Sequence, residues 1–486
     1  MNRNMDFGKN KIKNIDKIVS IKKFEINGGT PTQQNLEEVF QLPNLESLTV
    51  YDIENINELK WNSIKNLKLK NLYIYGKQEN VLYAAKDLKT LTYLEIHDIN
   101  IDKNVIEVIN SFTNLEKLIF KYCNIKSLNG IEKLENIDTL NFFDCDIESI
   151  SGIEKLKNLD TLIYNLSNLN NNILKTISKN PNLRNLELID CKTKNKVDLT
   201  SLENLKNLNK LHFLFITFDN IENLDSFKNL KKLKSFINEF PTNDKKLIAN
   251  IDKFTTLQNL YLEIESQIKT NDIEKIANLK NLEQLTLKLY IYNNKFEGEI
   301  NSLKSLHNLK NITLYGFKFK EFPQFLTSLT DLKYIDLEHN EISKIPDSIS
   351  KIKNLEYLNL ADNKFTTIPE SLNNLPKLKY ISFSNNIDLK GKILTNDNLE
   401  YCNYKYENYD VIDGVCKTKD MKCISNVMFY TLGNGHNNCY PQSIRYCESS
   451  DGITTINSTS TTIKTTTTTT MITTTKKSLD WIRYIK

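Results

Sequence analysis

Four cysteines near the carboxyl-terminal end are the residues best suited to covalent or metal chemistry. They are Cys416, Cys423, Cys439 and Cys447. Cys402, shortly before them, lies at a position of a repeated sequence pattern that usually holds a buried leucine. The other four would then form two disulfides, with three possible pairings. The alternative is a zinc site that recruits His436, but the spacing of these residues fits common zinc sites poorly. We therefore predict two disulfides and no metal site.

A row of tyrosines is the strongest candidate for a binding surface. Its members recur at similar intervals along the chain: Tyr334, Tyr357, Tyr380 and Tyr401. Each ring offers an apolar face and a hydroxyl, a combination favoured in protein-binding hot spots and also able to stack on sugars. Asp336, Glu338 and Asn359 would add polar contacts. Two interpretations stay open: the row binds a ligand, most readily a protein and alternatively a glycan, or the stacked rings only stabilise the structure.

Catalytic chemistry is not indicated by the sequence. It contains no glycine-rich phosphate loop, HExxH or GxSxG motif, and its five histidines are scattered. We predict no enzymatic activity and no cofactor. With 64 Lys+Arg against 60 Asp+Glu, the formal net charge is only +4, and no stretch concentrates cations, so nucleic acid is not an expected partner. We interpret many of the surface asparagines and lysines as compositional filler.

The segments that carry these residues repeat along the chain. Residues 331–340 read DLKYIDLEHN and residues 354–363 read NLEYLNLADN, with apolar residues at the second, fifth and seventh places. A short strand sends alternate side chains to opposite faces, so Leu358 and Leu360 would point inward and Tyr357 and Asn359 outward. The central apolar residue recurs seventeen times, at Phe24, Leu48, Leu72, Leu94, Leu118, Leu140, Leu162, Leu186, Leu211, Phe236, Leu260, Leu285, Ile312, Ile335, Leu358, Ile381 and Cys402.

The turn after each strand has a pattern of its own. Five residues beyond the central apolar residue, several repeats have an amide or a thiol: Cys123, Cys145, Cys191, Asn340, Asn363 and Asn386. Such groups can hydrogen-bond to turn backbone inside a coil. We therefore predict a buried structural ladder in which the three cysteines are reduced.

The repeated pattern LxxLxLxxN/CxL resembles the leucine-rich repeat family, over residues 18–405. Some units resemble the 22-residue phosphatase-regulator and internalin type, and those with IPxxI resemble the typical 23-residue type. The resemblance implies an α/β solenoid, a horseshoe or arc with a parallel sheet on its concave face and short helices or irregular turns on its convex face. The other predicted parts are an amino-terminal segment at 1–17, a Cys-rich cap at 406–450 and a disordered Thr-rich tail at 451–486.

The sequence gives mixed indications of location. Residues 211–218, the longest apolar run, are too short to cross a bilayer, and the first residues lack a secretory h-region. The cysteine cap and the Thr-rich tail, which resembles a glycosylated stalk, favour an extracellular or cell-surface protein, with a cytoplasmic one as the alternative. Glycosylation sequons occur at Asn165, Asn311 and Asn457. Three classes of function remain: a recognition module, an intracellular scaffold or phosphatase-regulator-like subunit, and a structural wall or coat protein. The oligomeric state stays open.

Overall fold

The chain coils into a solenoid around one continuous apolar core. The computed structural model describes residues 2–5, 21–86, 88–191, 193, 197–215, 221–222, 224–239, 245–290, 296, 298–406, 410–411, 415–417, 427–429 and 438–440. Each turn contributes one strand to a common sheet and then returns along the outer side through a helix or an irregular segment. The architecture is an α/β leucine-rich repeat solenoid, as the repeat pattern predicted.

One parallel sheet of 18 strands forms the concave wall. Neighbouring strands pair in register, so the central apolar residue of one repeat lies beside that of the next, as with Leu48 and Leu72. The strands are Asn2–Met5, Lys23–Asn27, Ser47–Tyr51, Asn71–Tyr75, Tyr93–His97, Lys117–Lys121, Thr139–Phe143, Thr161–Asn165, Asn185–Ile189, Lys210–Leu214, Ser235–Glu239, Asn259–Ile264, Gln284–Leu289, Asn311–Tyr315, Tyr334–Asp336, Tyr357–Asn359, Tyr380–Ser382 and Tyr401–Asn403.

Short helices return the chain along the outer side of the described repeats. The α-helices are α1 Gln33–Phe40, α2 Glu79–Ala84, α3 Lys103–Ile109, α4 Asn171–Ile177, α5 Lys245–Ala249 and α6 Thr270–Ala277. The 3₁₀ helices are Ile56–Glu58, Asn62–Asn66, Ile131–Lys133, Ile153–Lys155, Leu199–Asn204, Leu224–Asn229, Ile251–Lys253, Asn301–Ser305, Gln324–Ser328, Asp347–Lys351 and Glu370–Asn374. Two-residue parallel strands also pair on this side, at Asn100–Ile101, Asn124–Ile125 and Asp146–Ile147, and at Val197–Asp198 and Ile221–Glu222.

The repeated aliphatic residues form the core. Leu355, Leu358 and Leu360 of one repeat are all buried, and equivalent residues of the other described repeats join the same cluster. Since each unit is too small to enclose its own apolar edge, burial depends on stacking against the next unit. Each strand of the sheet is therefore held in place by the repeats that pack against its own repeat.

The amide and thiol positions lie inside the coil and contact turn backbone. Asn363 Nδ2 donates to the carbonyl oxygens of Leu337 at 2.9 Å and Leu360 at 3.2 Å, and Asn363 Oδ1 accepts from Ile342 N at 2.9 Å. Asn340 and Asn386 make equivalent contacts.

The cysteines of this ladder make weaker contacts. Cys145 Sγ lies 3.4 Å from the carbonyl oxygen of Phe120 and 3.5 Å from that of Phe143. Cys123 and Cys191 have similar neighbours, and all three thiols are free. A thiol supplies one weak donor, whereas the amide in the later repeats both donates and accepts.

A second row of asparagines lies along the edge of the sheet, at the amino-terminal ends of the strands. Each one directly precedes the opening apolar residue of its repeat and donates its side-chain amide to a carbonyl 22 to 28 residues earlier. The row consists of Asn114, Asn136, Asn158, Asn182, Asn207, Asn281, Asn308, Asn354 and Asn398. Interpreting surface asparagines as filler is therefore wrong for this row, because its members bridge successive turns.

Both ends of the sheet are covered by further strands. Asn2–Met5 pairs in parallel with Lys23–Asn27, so the predicted amino-terminal segment 1–17 contributes a strand to the sheet. At the other end, Val427–Phe429 lies against the last concave strand and pairs with Asn438–Tyr440. Two smaller pairs accompany it, Gly391–Lys392 with Val415–Cys416 and Lys405–Tyr406 with Asp410–Val411.

Two cysteines of this end region are disulfide-bonded in the structure, Cys402 and Cys416. Both are buried. The expectation that Cys402 is merely buried and takes no part in a bridge is therefore wrong. The predicted bridges and the zinc alternative also involve Cys423, His436 and Cys447, which lie outside the described residues together with the tail 451–486. The side chain of Cys439 is outside them too, although its backbone belongs to Asn438–Tyr440.

Candidate functional site

Three tyrosines stack face to face on the concave wall. Their strands pair so that Tyr334, Tyr357 and Tyr380 are adjacent, and the ring centroids are 4.1 Å and 4.0 Å apart with interplanar angles of 11° and 8°. All three side chains are half-buried. Tyr401 pairs with Tyr380 through the backbone but makes no ring contact in the described part of the chain. The structure therefore groups three of the four predicted tyrosines into a stack.

The hydroxyls of this stack stay protonated over the physiological pH range. Burial raises the pKa of Tyr334, Tyr357 and Tyr380, and the nearby carboxylate of Asp336 raises each of them further. Tyr334 Oη donates to Asp336 Oδ2 at 3.3 Å. A ligand would consequently meet neutral phenols that can donate hydrogen bonds.

Asp336, Glu338 and Asn359 lie together beside the stack. Asn359 Nδ2 donates to Glu338 Oε2 at 2.9 Å, and Asp336 Oδ1 accepts from the backbone N–H of Glu338 at 3.0 Å. Burial raises the pKa of both acids, and the charge of Asp336 adds to the rise at Glu338. No Lys, Arg or His of the described residues lies within ion-pair distance of either carboxylate. The pair is a negative site that the described protein leaves without a bonded cation.

A second aromatic group extends the wall next to this site. Tyr315 stacks on His339 with a centroid distance of 5.0 Å and an angle of 12°, and it lies 5.5 Å from the ring of Tyr290. His339 also hydrogen-bonds to Asp362 of the following repeat. The C-terminal part of the concave wall is thus a continuous surface of rings and carboxylates.

The amino-terminal part of the wall has a buried carboxylate with a full set of donors. Glu95 is only 4% exposed, and it accepts from Tyr93 Oη at 2.7 Å, His97 Nε2 at 2.8 Å and Lys121 Nζ at 2.8 Å. Burial alone would raise its pKa, but the hydrogen bonds from His97, Lys121 and Tyr93 outweigh burial and lower the pKa to about 2. Tyr75 packs on the His97 ring at 3.9 Å. This group is a charged brace between neighbouring strands.

The middle of the wall has a histidine between two carboxylates. His212 Nδ1 lies 3.9 Å from Glu187 Oε2, and its Nε2 lies 3.3 Å from Glu239 Oε1. Burial acts to lower the His212 pKa, but the two acids outweigh it and raise the pKa to about 9. Lys210 Nζ also contacts Glu187 at 2.7 Å. The group holds an imidazolium at neutral pH and shows no arrangement of nucleophile and base.

One edge of the wall has exposed rings that our sequence interpretation missed. The residue that follows each strand often has a left-handed backbone, and several repeats fill it with Gly or Asp. Tyr122 and Phe215 occupy it with φ of 54° and are 44% and 50% exposed. A bulky residue at positive φ carries backbone strain, so its presence on the surface marks a candidate contact. Aligning the repeats by register would have revealed both residues.

The remaining predicted positions are partly described. Asn165 and Asn311 lie half-buried at the end and the start of concave strands, and Asn457 is outside the described residues. Within the described ranges, no cluster of three or more potential metal ligands is present. A helix with the length and apolarity to cross a bilayer is likewise not found among them. Glycosylation stays a prediction.

Comparisons with known proteins agree with the repeat architecture. A family model described as "Leucine rich repeat" matches residues 308–365 and 330–387. No curated protein sequence matches the chain. The fold is similar to the crystal structure of a TLR13–ssRNA13 complex, with 19% identity, 76% of this chain and 58% of that chain covered, and a TM-score of 0.52.

Two bacterial structures also align with the chain. One is a leucine-rich repeat protein of Leptospira interrogans, with 21% identity, coverage of 83% of this chain and 90% of that chain, and a TM-score of 0.44. The other is an internalin of Listeria monocytogenes, with 19% identity, coverage of 82% and 89%, and a TM-score of 0.34. The family match falls on the repeats that carry the tyrosine stack, and the in-register solenoid continues through the other described repeats. The chain is a leucine-rich repeat protein.

Proposed function

We propose that the protein is a non-enzymatic recognition module that binds a protein partner on its concave face, at the cell surface or outside the cell. The observation that carries the proposal is the stack of Tyr334, Tyr357 and Tyr380 beside carboxylates that have no bonded cation. These side chains stand on strands fixed by repeats on both sides, so the surface is formed before a partner arrives. A preformed surface loses less conformational entropy on binding.

The stacking geometry favours a protein partner over a glycan. Both faces of the Tyr357 ring are covered by its neighbours at about 4 Å. Sugar recognition by aromatic rings needs an open face, which the stack offers only at its two ends. The wall instead presents ring edges and phenol hydroxyls, which suit the side chains and backbone of a protein.

The carboxylates define the chemistry of the partner further. Partial burial raises the pKa values of Asp336 and Glu338, and no described cation lies at ion-pair distance from either. A Lys or Arg of the partner would favour the ionised forms of both acids and donate charge-assisted hydrogen bonds to them. We therefore expect a partner with a basic side chain at this point, and weaker binding as the pH falls and the two acids become protonated.

Photo-crosslinking tests where the partner binds. p-Benzoylphenylalanine would replace Tyr357 in one variant and Tyr83 in another, and crosslinked proteins from the cells that make this chain would be identified by mass spectrometry. Tyr83 is a matched control because it is an exposed tyrosine on helix α2, away from the sheet. A protein that crosslinks from position 357 and not from position 83 is expected. Equal capture from both positions contradicts concave binding.

Substitution of the stack tests its role with the purified partner. The double variant Tyr357→Ser and Tyr380→Ser should weaken binding by about 10- to 100-fold, in the range of hot-spot tyrosines. Thermal unfolding should stay close to that of the unsubstituted protein, and Tyr83→Ser should change neither quantity. Collapse of thermal stability in the double variant would make the stack a structural feature of the sheet.

The redox state of the cysteines tests the proposed location. Disulfides at Cys402 and Cys416 suit an oxidising compartment, and the intracellular scaffold is the alternative. Alkylation under native and denaturing conditions, with protein from its own source, separates the two. Retention of both thiols in free form would favour the scaffold. Heavy glycosylation and crosslinking of the Thr-rich tail would favour a wall or coat component.

A further inference from the structure

An open groove runs along the edge of the sheet at the amino-terminal ends of six strands, from Thr161–Asn165 to Gln284–Leu289. Its volume is about 990 Å³. Its lining comes from the residues that directly precede these strands, between 157 and 281. The groove is therefore separate from the tyrosine stack, which begins at Tyr334.

Positive charge dominates the lining of this groove. Five cations line it, Lys157, Arg184, Lys231, Lys232 and Lys234. One carboxylate, Asp160, accompanies them, and it lies 3.5 Å from Arg184 Nε. Lys232 Nζ donates to Asn207 Oδ1 at 2.6 Å. The ammonium groups of the other three lysines contact no acceptor in the part of the chain that the structure describes.

Along the same edge of the sheet, lysines outside the groove form ion pairs. Glu46 lies between Lys22 and Lys70, at 3.1 Å from each. In later repeats, Lys310 pairs with Glu283 at 2.6 Å, and an equivalent pair joins Lys379 and Glu356. Lysines along this edge therefore face carboxylates of neighbouring repeats, whereas those of the groove do not. Lys231, Lys232 and Lys234 lie close together in the sequence, and the fold brings Lys157 and Arg184 of earlier repeats to the same surface.

The other lining residues indicate what kind of anion would fit. Six are Asn or Gln and one is Thr, and no aromatic or aliphatic side chain is among them. Asn158 and Asn281 donate their amide nitrogens to backbone carbonyls, which leaves their oxygens as acceptors for hydroxyl groups. Single-stranded nucleic acid is normally held by stacking of its bases on aromatic rings, and this groove has none.

We propose that this groove binds a carbohydrate or polyol that carries several sulfate or phosphate groups. The cations of Lys157, Lys231 and Lys234 contact the anionic groups, and the amide oxygens accept from the hydroxyls. Sulfated polysaccharides and inositol phosphates share this chemistry. The site lies on a different surface from the concave protein-binding site and does not depend on it.

Binding to purified full-length protein at physiological ionic strength tests the proposal. The probes are a heparin hexasaccharide, its chemically desulfated form, inositol hexakisphosphate and an oligothymidylate of similar charge. The test variant combines Lys157→Gln, Lys231→Gln and Lys234→Gln. The control variant removes the same charge from exposed lysines outside the groove, with Lys86→Gln, Lys126→Gln and Lys344→Gln.

We expect saturable binding of the heparin hexasaccharide or inositol hexakisphosphate, and the tighter of the two identifies the source of the anionic groups. The groove variant should lose about tenfold or more in affinity, since each of three partly screened charge contacts contributes about a two- to threefold effect. The control variant and Tyr357→Ser should keep their affinity. Equal loss in the control variant, equal binding of the desulfated probe, tighter binding of oligothymidylate, or no binding of either anionic probe would each overturn the proposal.

Discussion

Two strands of the concave sheet, Tyr93–His97 and Tyr334–Asp336, place a tyrosine and then a carboxylate at the same outward positions. In the first strand, Lys121 and a histidine donate to Glu95, and its pKa falls to about 2. In the second strand, burial raises the pKa of Asp336, and the next outward residue is another acid. One repeat template thus holds a carboxylate paired with a lysine in one region and a carboxylate with no described cation at ion-pair distance in the other.

The difference separates stabilisation from recognition. A buried charge with several donors is part of the fold, because removing either side leaves unpaired groups. A half-buried carboxylate without a cation at ion-pair distance gains interaction free energy when a partner supplies one. The concave wall near Glu95 therefore braces the sheet, and we propose the wall near Asp336 as the part that binds a partner.

Neutralising each carboxylate in turn should show the difference between the two regions most clearly. Glu95→Gln should destabilise the amino-terminal repeats by about 3 kcal/mol, because Lys121 and His97 lose a charged acceptor in a buried setting. Asp336→Asn should cost less than about 1 kcal/mol, since the amide oxygen can still accept from the backbone N–H of Glu338. Trp61, buried in the early repeats, reports urea unfolding of that region by fluorescence.

Local hydrogen exchange supplies the matching measurement for the later repeats. Both variants would be compared with the unsubstituted chain in peptides that cover each concave strand. Equal loss of protection around Glu95 and around Asp336 would show that the two carboxylates contribute equally to local stability, which contradicts the proposed difference between the two regions.

Acid should move the stability of the two regions in opposite directions. The pKa of Glu95 is lowered from 4.5 to about 2, so its contribution is present above pH 4.5 and is lost as the pH falls towards 2. This loss amounts to about 2 kcal/mol for the amino-terminal repeats, after allowing for partial solvent screening. Asp336 and Glu338 have raised pKa values, so protonation relieves their cost as the pH falls towards their ordinary values of 3.8 and 4.5.

Hydrogen exchange across this acidic range, corrected for the intrinsic exchange rate, measures both regions in one sample. Protection of Tyr93–His97 should decrease on acidification more than protection of Tyr334–Asp336. In the Glu95→Gln variant the difference between the strands should shrink. A parallel loss of protection in both strands would contradict the pKa assignments.

The fold was predictable because each repeat places apolar residues at the same inward positions. The inward set, such as Leu355, Leu358 and Leu360, fixes the strand register, and register then places Tyr334 beside Tyr357 without further information. Contacts between individual polar side chains were not predictable in this way. Lys121 reaches Glu95 from the next concave strand, 26 residues along the chain, and pattern alone does not state which outward lysine meets which outward acid.

The ends of the solenoid and its edges also departed from the repeat rule. Cys402 holds a core position and is disulfide-bonded as well, and Asn2–Met5 adds a strand where no repeat pattern is visible. Tyr401 has the register of the tyrosine row yet stays out of its stack. At a terminal repeat, a neighbour on one side is replaced by other structure, so the environment no longer follows from the period.

The exposed asparagine row offers the finest comparison of the two regions. Asn136 Nδ2 donates to the Thr113 carbonyl at 2.9 Å, whereas Asn354 Nδ2 lies 3.4 Å from the Thr330 carbonyl. Both hydrogen bonds are exposed to solvent, so water can replace either one, and Asn136→Ala should cost only about 0.5 kcal/mol. Asn354→Ala should cost less, because its bond is long. Thermal unfolding of the two variants, with Asn363→Ala as the buried counterpart, should rank Asn363 far above Asn136 and Asn136 above Asn354. If Asn354→Ala proved the more damaging of the two exposed variants, the amide row would stabilise the turns by something other than these hydrogen bonds.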